Sequence, residues 1–221
     1  MVVKEDLRER IMIEADKKDF RIVSTDTMDP VSGAGPAAAA RTPDELRGCV
    51  RRIMRHVGST VTIITTQTTQ PFGMVATAMM SLSLDPPSLA VAINESASIC
   101  NPLHERGRFC VNILSSNDEG VSRRFTQLSG ADRFSAGNWG TELHGPYAGI
   151  PFLKTAQAVL FCQVTQSLTS GSHRLILGGI QNVTYRQTDD PLLYCDGSYG
   201  IFRRNGQGAA AQLDDRLFVC N

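Results

Sequence analysis

Beyond Gly58 the apolar positions of the chain fall into short runs rich in Val, Ile and Thr: VTIITTQ (61–67), MVATAMMSLSL (74–84), SLAVAIN (88–94) and FCVNILS (109–115). Turn formers separate them, namely Gln70-Pro71 with Gly73, Asp85-Pro86-Pro87, and Asn101-Pro102, so each run predicts one β-strand. Two longer runs, AQAVLFCQVTQSL (156–168) and HRLILGGIQNVTY (173–185), flank Thr169-Ser170-Gly171-Ser172 and predict a hairpin with a four-residue turn. Before Gly58 the period is helical. Thr42-Pro43-Asp44-Glu45 combines a capping threonine, a first-turn proline and a capping-box glutamate, and Leu46, Val50, Ile53 and Met54 follow as a stripe. A second helix is predicted after Asn117, carrying Val121, Phe125 and Leu128 and stopped by Gly130. Strands in series with so few helices predict a mainly β fold, an antiparallel barrel and not a doubly wound sheet.

The ends of the chain read differently. Residues 1–20 suit a polar helix with Leu7, Ile11 and Ile13 as its apolar anchors, and 24–45 collects the Ser, Gly, Pro and Ala of a linker. Residues 203–221 are polar until Leu217-Phe218-Val219, which could dock. The predicted organisation is therefore an N-terminal appendage (1–45), a barrel domain (46–202) and a C-terminal tail (203–221).

Charge excludes several functions. The 221 residues hold 22 Lys and Arg against 22 Asp and Glu, a formal net charge of zero. Nucleic acid needs a basic face that releases phosphate counterions, and an anionic membrane surface needs a polybasic patch; neither is implied. No apolar run approaches the roughly 20 residues of a transmembrane helix, and the N-terminus lacks the apolar core of a signal peptide, so a cytoplasmic location is expected. The six cysteines never reach CxxC spacing, and Cys110 and Cys162 lie inside apolar runs as small hydrophobes. His56, His104 and His144 are not spaced to build a metal site.

The segment Gly73-Met74-Val75-Ala76-Thr77-Ala78-Met79-Met80-Ser81-Leu82-Ser83-Leu84-Asp85-Pro86-Pro87 is small and hydroxylated where a strand normally carries bulky side chains. Small residues admit a ligand close to backbone N–H groups, and hydroxyls orient it; a strand packed tightly against a helix has the same composition. Asp85-Pro86-Pro87 reads as the turn into the next strand, with the aspartate forming an Asx-turn.

This segment aligns without a gap to the Gly-Met-Thr-Ala-Ser-Ser-Phe-x-Ser-Val-Ser-x-Asp-Pro-Pro stretch of the flavin reductase-like, FMN-binding split-barrel proteins, which the chain resembles. The resemblance covers about residues 46–202. It continues through Gly58-Ser59-Thr60-Val61, Asn94-x-Ser96-x-Ser98, Phe109-x-Val111-Asn112-x-Leu114, Asp132-Arg133-Phe134, Gly145-Pro146, Gly171-Ser172-His173, Gly178 and Pro191-Leu192-Leu193-Tyr194. It implies a homodimer that transfers hydride from NADH or NADPH to FMN or FAD and supplies reduced flavin to a partner monooxygenase. Two other functions stay open on the same barrel: a reductase that keeps its flavin and serves another acceptor, such as a corrinoid, and a non-catalytic flavin-binding electron carrier.

Residue by residue, the resemblance assigns flavin contacts to Ala76, Thr77, Ala78, Met79, Met80 and Ser81. It assigns the ribityl-phosphate end to Asn94, Ser96 and Ser98. Arg133-Phe134 matches a family Arg/Lys-Phe pair; from the residues alone it is equally a helix-end charge beside a core anchor. His173, by itself a surface histidine after a turn, matches the histidine facing the nicotinamide, and Tyr199 matches a tyrosine near that site. Val75, Ala78 and Met79 stand where the family carries Thr, Ser and Phe, and Ser172 where it carries Asp, so a hydroxyl, a ring or a carboxylate is missing at each.

Overall fold

The computed structural model describes residues 42–142, 144–186 and 190–202; the predicted helix in 1–20, the linker up to Arg41 and the docking of Leu217-Phe218-Val219 lie outside them. The elements in chain order are α1 (Pro43–Arg55), β1 (Ser59–Thr60), β2 (Thr62–Gln67), β3 (Pro71–Ala76), β4 (Met79–Leu84), β5 (Pro87–Asn94), α2 (Cys100–Arg106), β6 (Arg108–Ile113), α3 (Glu119–Gln127), β7 (Trp139–Thr141), β8 (Pro151–Leu153), β9 (Ala158–Ser170), β10 (His173–Tyr185), β11 (Leu192–Cys195) and β12 (Ser198–Ile201).

Seven strands form one antiparallel sheet in the order β3-β2-β6-β9-β10-β5-β4. The two edge strands, β3 and β4, are joined by only Thr77 and Ala78. A three-bond step spans at most about 11 Å, so the two edges of the sheet meet at that pair and the sheet is curled into a barrel. The run 74–84, predicted as one strand, is thus two strands on opposite edges, broken at its smallest residues.

Period-2 alternation places the apolar residues of the central strands β2, β6 and β9 on two buried faces. Inside the barrel, Ile64, Val91, Phe109, Val111, Cys162 and Ile176 pack with Ile99, Cys100 and Leu103, which α2 and its approach supply. On the outer face, Ile63, Cys110 and Phe161 pack with Phe125 of α3 and with Ile150 and Leu153 around β8. Cys110 and Cys162 are fully buried on opposite faces, as buried small hydrophobes. Burial pushes the Cys162 thiol up to about 12 and raises that of Cys110 as well. Buried Asn112 ties the layers: its amide donates to Ile63 O at 2.8 Å, and its carbonyl accepts from Leu153 N at 2.7 Å.

Local chemistry departs from expectation in three places. The hairpin of β9 and β10 turns on two residues, Gly171-Ser172, because Ser170 already pairs with His173; Gly171 takes φ +59°, which a side chain would resist. Asn117 does not cap α3: Ser115 caps a short 3-10 turn (Ser116–Asp118), in which the buried Asp118 carboxylate accepts from Ser115 N (3.0 Å) and Oγ (2.8 Å), and α3 follows from Asp118 and ends at Gln127, ahead of Gly130. At the turn between β4 and β5, Ser83 Oγ rather than the Asp85 side chain makes the hydrogen bonds, accepting from Asp85 N at 3.0 Å. The Thr42–Glu45 capping box forms as expected, with Thr42 N donating to Glu45 Oε2 at 2.8 Å and Glu45 N to Thr42 Oγ1 at 3.3 Å. The stripe on α1 is a surprise: no residue of this helix is buried, and Ile53 and Met54 are 66% and 57% exposed.

Candidate active site

Two adjoining clefts open at the Thr77-Ala78 corner. The first, about 460 Å³, lies between Val75, Ala76 and Thr77 on one side, Arg123, Thr126 and Gln127 of α3 on another, and Tyr194, Gly197 and Tyr199 of the β11–β12 hairpin. The second, about 660 Å³, runs from Thr77 and Ala78 along Arg51, Met54, Arg55 and Val57. They share Thr77, Tyr194 and Gly197.

The β11–β12 hairpin is held at both ends. At its tip Asp196 and Gly197 both have positive φ, 48° and 82°, the pattern of a type I′ turn. Asp196 N donates to Arg55 O at 2.6 Å, Arg55 Nε lies 3.3 Å from Asp196 Oδ1, and a Cβ on Gly197 would stand 3.0 Å from Arg55 Nη2. Further along, half-buried Tyr199 shares a hydrogen bond with buried Ser122 of α3 at 2.9 Å, the Arg123 guanidinium sits 4.7 Å above its ring, and Tyr194 meets it edge-on at 5.2 Å. Arg123 is also ion-paired with Glu119 at 2.7 Å. Arginines line both clefts and no carboxylate lines either.

The residues expected from sequence separate into three groups. Ala76, Thr77 and Ala78 stand at the corner and line the clefts. Met79, next on β4, packs partly into the barrel interior, and Met80 and Ser81 are exposed along the same edge strand. A second group gathers where β5 ends and β10 begins: Asn94 pairs with His173, Asn94 Oδ1 accepts from Ser96 N (2.9 Å) and Oγ (2.8 Å), and Ser98 is exposed nearby. His173 is exposed, and Ser172, standing in place of the family's carboxylate, still shares a hydrogen bond with its Nδ1 at 3.0 Å. This group reaches the corner through the bond from Ala92 N to Ala78 O, 3.0 Å, two residues before Asn94.

Arg133 and Phe134 form the third group and line neither cleft. The Arg133 guanidinium donates to Gly73 O at 2.5 Å and Leu128 O at 2.9 Å, while Phe134 meets Phe125 edge-on at 5.3 Å. Both steady the wall behind the corner. The cleft residues that sequence reading missed are Arg123, Thr126 and Gln127, with Tyr194, Gly197, Arg51 and Arg55. The available signal was helical spacing: 123, 126 and 127 share one face of α3, and 51 and 55 share one side of α1.

Residues 54–203 match the flavin reductase like domain. The reductase component of the FADH(2)-dependent resorcinol hydroxylase of Rhizobium sp. (strain MTP-10005) is 33% identical over 153 residues, 67% of this chain and 83% of that protein. The FMN reductase (NADH) RutF of Enterobacter sp. (strain 638) is 33% identical over 156 residues, 70% of this chain and 93% of that one. Among solved structures, the NADH:FAD oxidoreductase SgcE6 of Streptomyces globisporus, in complex with NAD and FAD fragments, matches with a TM-score of 0.68 at 25% identity, covering 76% of this chain and 100% of that one. With the corner, α3 and the β11–β12 hairpin all inside the matched span, the chain belongs to the flavin reductase like domain family.

Proposed function

We propose that the chain is an NAD(P)H-dependent flavin reductase that uses the Thr77-Ala78 corner to hold FMN or FAD. The observation that carries this reading is the corner itself, where two strand edges meet on small residues beneath two tyrosines. The donor set fits a flavin nucleotide. Ala76, Thr77 and Ala78 bring backbone close to a planar ring without side chains in the way. Since Ala92 N points to Ala78, the alternation of the ladder turns the Asn94 N–H to the same side, past the start of β4, where no described strand pairs with it. That amide, with Ser96 and Ser98 close by, suits the phosphate end of the flavin.

The bound flavin supplies the acceptor for the hydride. The chain's own work is placement: the aromatic and apolar walls of the cleft would hold the flavin and nicotinamide rings against one another and keep water from between them. Tyr199 forms one wall, fixed by Ser122 and Arg123. His173, oriented by Ser172, serves the nicotinamide side. Ala76, Thr77, Ala78, Met79, Met80 and Ser81 form the flavin side, and Arg133 and Phe134 back it. No side chain has to act as nucleophile or general base.

Relatives of this chain are reductase components of two-component systems, which supports a monooxygenase partner that receives the reduced flavin. The exposed apolar residues of α1 that line neither cleft (Leu46, Val50, Ile53) support a homodimer in which a second copy covers them. No described helix is long and apolar enough to cross a membrane. A cytoplasmic reductase with its domain at 46–202 and appendages on either side accounts for these features.

The test is to mix the protein with NADH or NADPH and excess FMN or FAD and to follow the nicotinamide absorbance. Faster oxidation, saturable in flavin, is expected. No acceleration with any pairing overturns the reading in favour of a carrier. Flavin that survives gel filtration, with turnover indifferent to added flavin, would instead mark a reductase of another acceptor.

A further inference from the structure

We propose that the cleft beside α1 is a subsite for the phosphate of an adenine nucleotide, with Arg51 as the cation that reads it. This rests on the reductase reading above, because both FAD and the nicotinamide dinucleotides carry an adenosine phosphate that FMN lacks.

Three observations carry it. The cleft is continuous with the corner cleft through Thr77, Tyr194 and Gly197, so one extended ligand can occupy both. Its lining divides by chemistry: Met54, Val57 and Tyr194 present apolar and aromatic surface suited to a purine and ribose, while Arg51 presents positive charge one turn before Arg55 on α1. Of the three arginines at the clefts, two are already engaged. Arg55 pairs with Asp196 at 3.3 Å and Arg123 pairs with Glu119 and the Tyr199 ring. Arg51 has no hydrogen bond or ion pair to any described residue, and no carboxylate lines the cleft to neutralise it. An arginine cannot give up its charge, and its planar fork matches a phosphate's oxygens. In a chain of zero net charge this cleft is a local positive site, which phosphate complements.

Arg51 is exposed, so its hold on phosphate is moderate and weakens with salt. The chemistry has two sources, the pyrophosphate common to FAD and both nicotinamide nucleotides, and the 2′-phosphate found only on NADPH. The probes ADP, adenosine 2′,5′-bisphosphate, FMN and FAD separate them.

The experiment compares the full chain with Arg51→Gln, and with Arg52→Gln as the control. Arg52 is on the same helix, donates to Cys49 Sγ at 3.3 Å and lines neither cleft. Binding of the four probes is measured by titration calorimetry at low and physiological salt, alongside KM for NADH and NADPH. Arg51→Gln is expected to weaken binding of adenosine phosphates about fivefold, roughly 1 kcal/mol, more at low salt, and to change FMN binding less than twofold. Weakening of ADP and FAD assigns the pyrophosphate; weakening of the bisphosphate alone, with KM raised for NADPH only, assigns the 2′-phosphate. Binding of all four probes within twofold of the unaltered protein, or an equal effect from Arg52→Gln, overturns the subsite. Binding is read without turnover, so an unaltered protein that fails to oxidise NAD(P)H would overturn the reductase reading while the comparison still decides the subsite.

Discussion

The phenol of Tyr199 and the hydroxyl of Ser122 share a 2.9 Å hydrogen bond that ties the β11–β12 hairpin to α3 across the first cleft. Ser122 is fully buried, so removing the phenol oxygen leaves its hydroxyl without that partner. Tyr199→Phe keeps the ring beneath Arg123 and should cost about 1 kcal/mol, a fall in Tm of about 2–4 °C for a domain of this size, with kcat little changed. Tyr199→Ala also removes the wall and should raise KM for the nucleotides. Thermal denaturation and steady-state kinetics of the two variants check this; equal kinetic effects from both would mean that the hydroxyl, and not the ring, matters.

Gly73 admits no side chain. A Cβ there would lie 2.7 Å from Phe125 Cζ and 3.2 Å from the Ile64 carbonyl, and the Gly73 carbonyl holds Arg133. Gly73→Ala must displace Phe125, and with it the helix that presents Arg123, Thr126 and Gln127. A loss of about 1–3 kcal/mol is expected, together with weaker flavin binding. Denaturant unfolding and flavin titration measure the two effects, and unchanged stability would show that Phe125 yields freely.

His173→Ala should raise KM for NADH or NADPH, or slow flavin reduction, while flavin affinity stays nearly intact. Ser172→Ala removes the hydrogen bond to Nδ1 and should give a weaker version of the same change. Rapid-mixing kinetics with a flavin titration separates the two quantities. Unchanged kinetics in His173→Ala would remove this residue from the site.

The buried thiols make a pH prediction. Burial holds Cys162 at about 12 and raises Cys110, whereas an unfolded chain ionises its thiols near their ordinary value of 9.0. Between about pH 9 and pH 12 the unfolded chain therefore binds fewer protons than the folded one, and stability falls as pH rises. Each thiol contributes a slope of up to about 1.4 kcal/mol per pH unit in that window and none below it. Equilibrium unfolding at several alkaline pH values, repeated with Cys162→Ala, should show the slope lessen in the variant. A thiol reagent should label exposed Cys195 in the native protein and reach Cys110 and Cys162 only after denaturation.

Much of the barrel was legible in the sequence, because its strands are runs of β-branched residues closed off by proline and glycine. The break at Thr77-Ala78 was not. Nothing in the local pattern of 74–84 distinguishes one long strand from two that pair with β2 and β5 at opposite edges; only the long-range ladder decides. The site shows the same division. Thr77 and Tyr199 came from the resemblance and stand together around one cleft. Arg123, Thr126 and Gln127 lie on the polar face of an amphipathic helix, where cleft-facing and solvent-facing residues have the same composition. Arg133 looks identical in sequence whether it holds a ligand or, as here, the carbonyl of a residue 60 positions away.

The central claim is that flavin is reduced at the Thr77-Ala78 corner. It is tested most directly by the flavin dependence of NADH oxidation in the unaltered protein and in Ala78→Trp, with circular dichroism confirming the fold of both. Ala78 is exposed at the cleft, so the indole fills ligand space without disturbing the barrel interior. Saturable, flavin-dependent oxidation is expected in the unaltered protein, with flavin KM at least tenfold higher or turnover abolished in the variant. Equal flavin saturation in both proteins, or no flavin-dependent oxidation in either, would contradict the account.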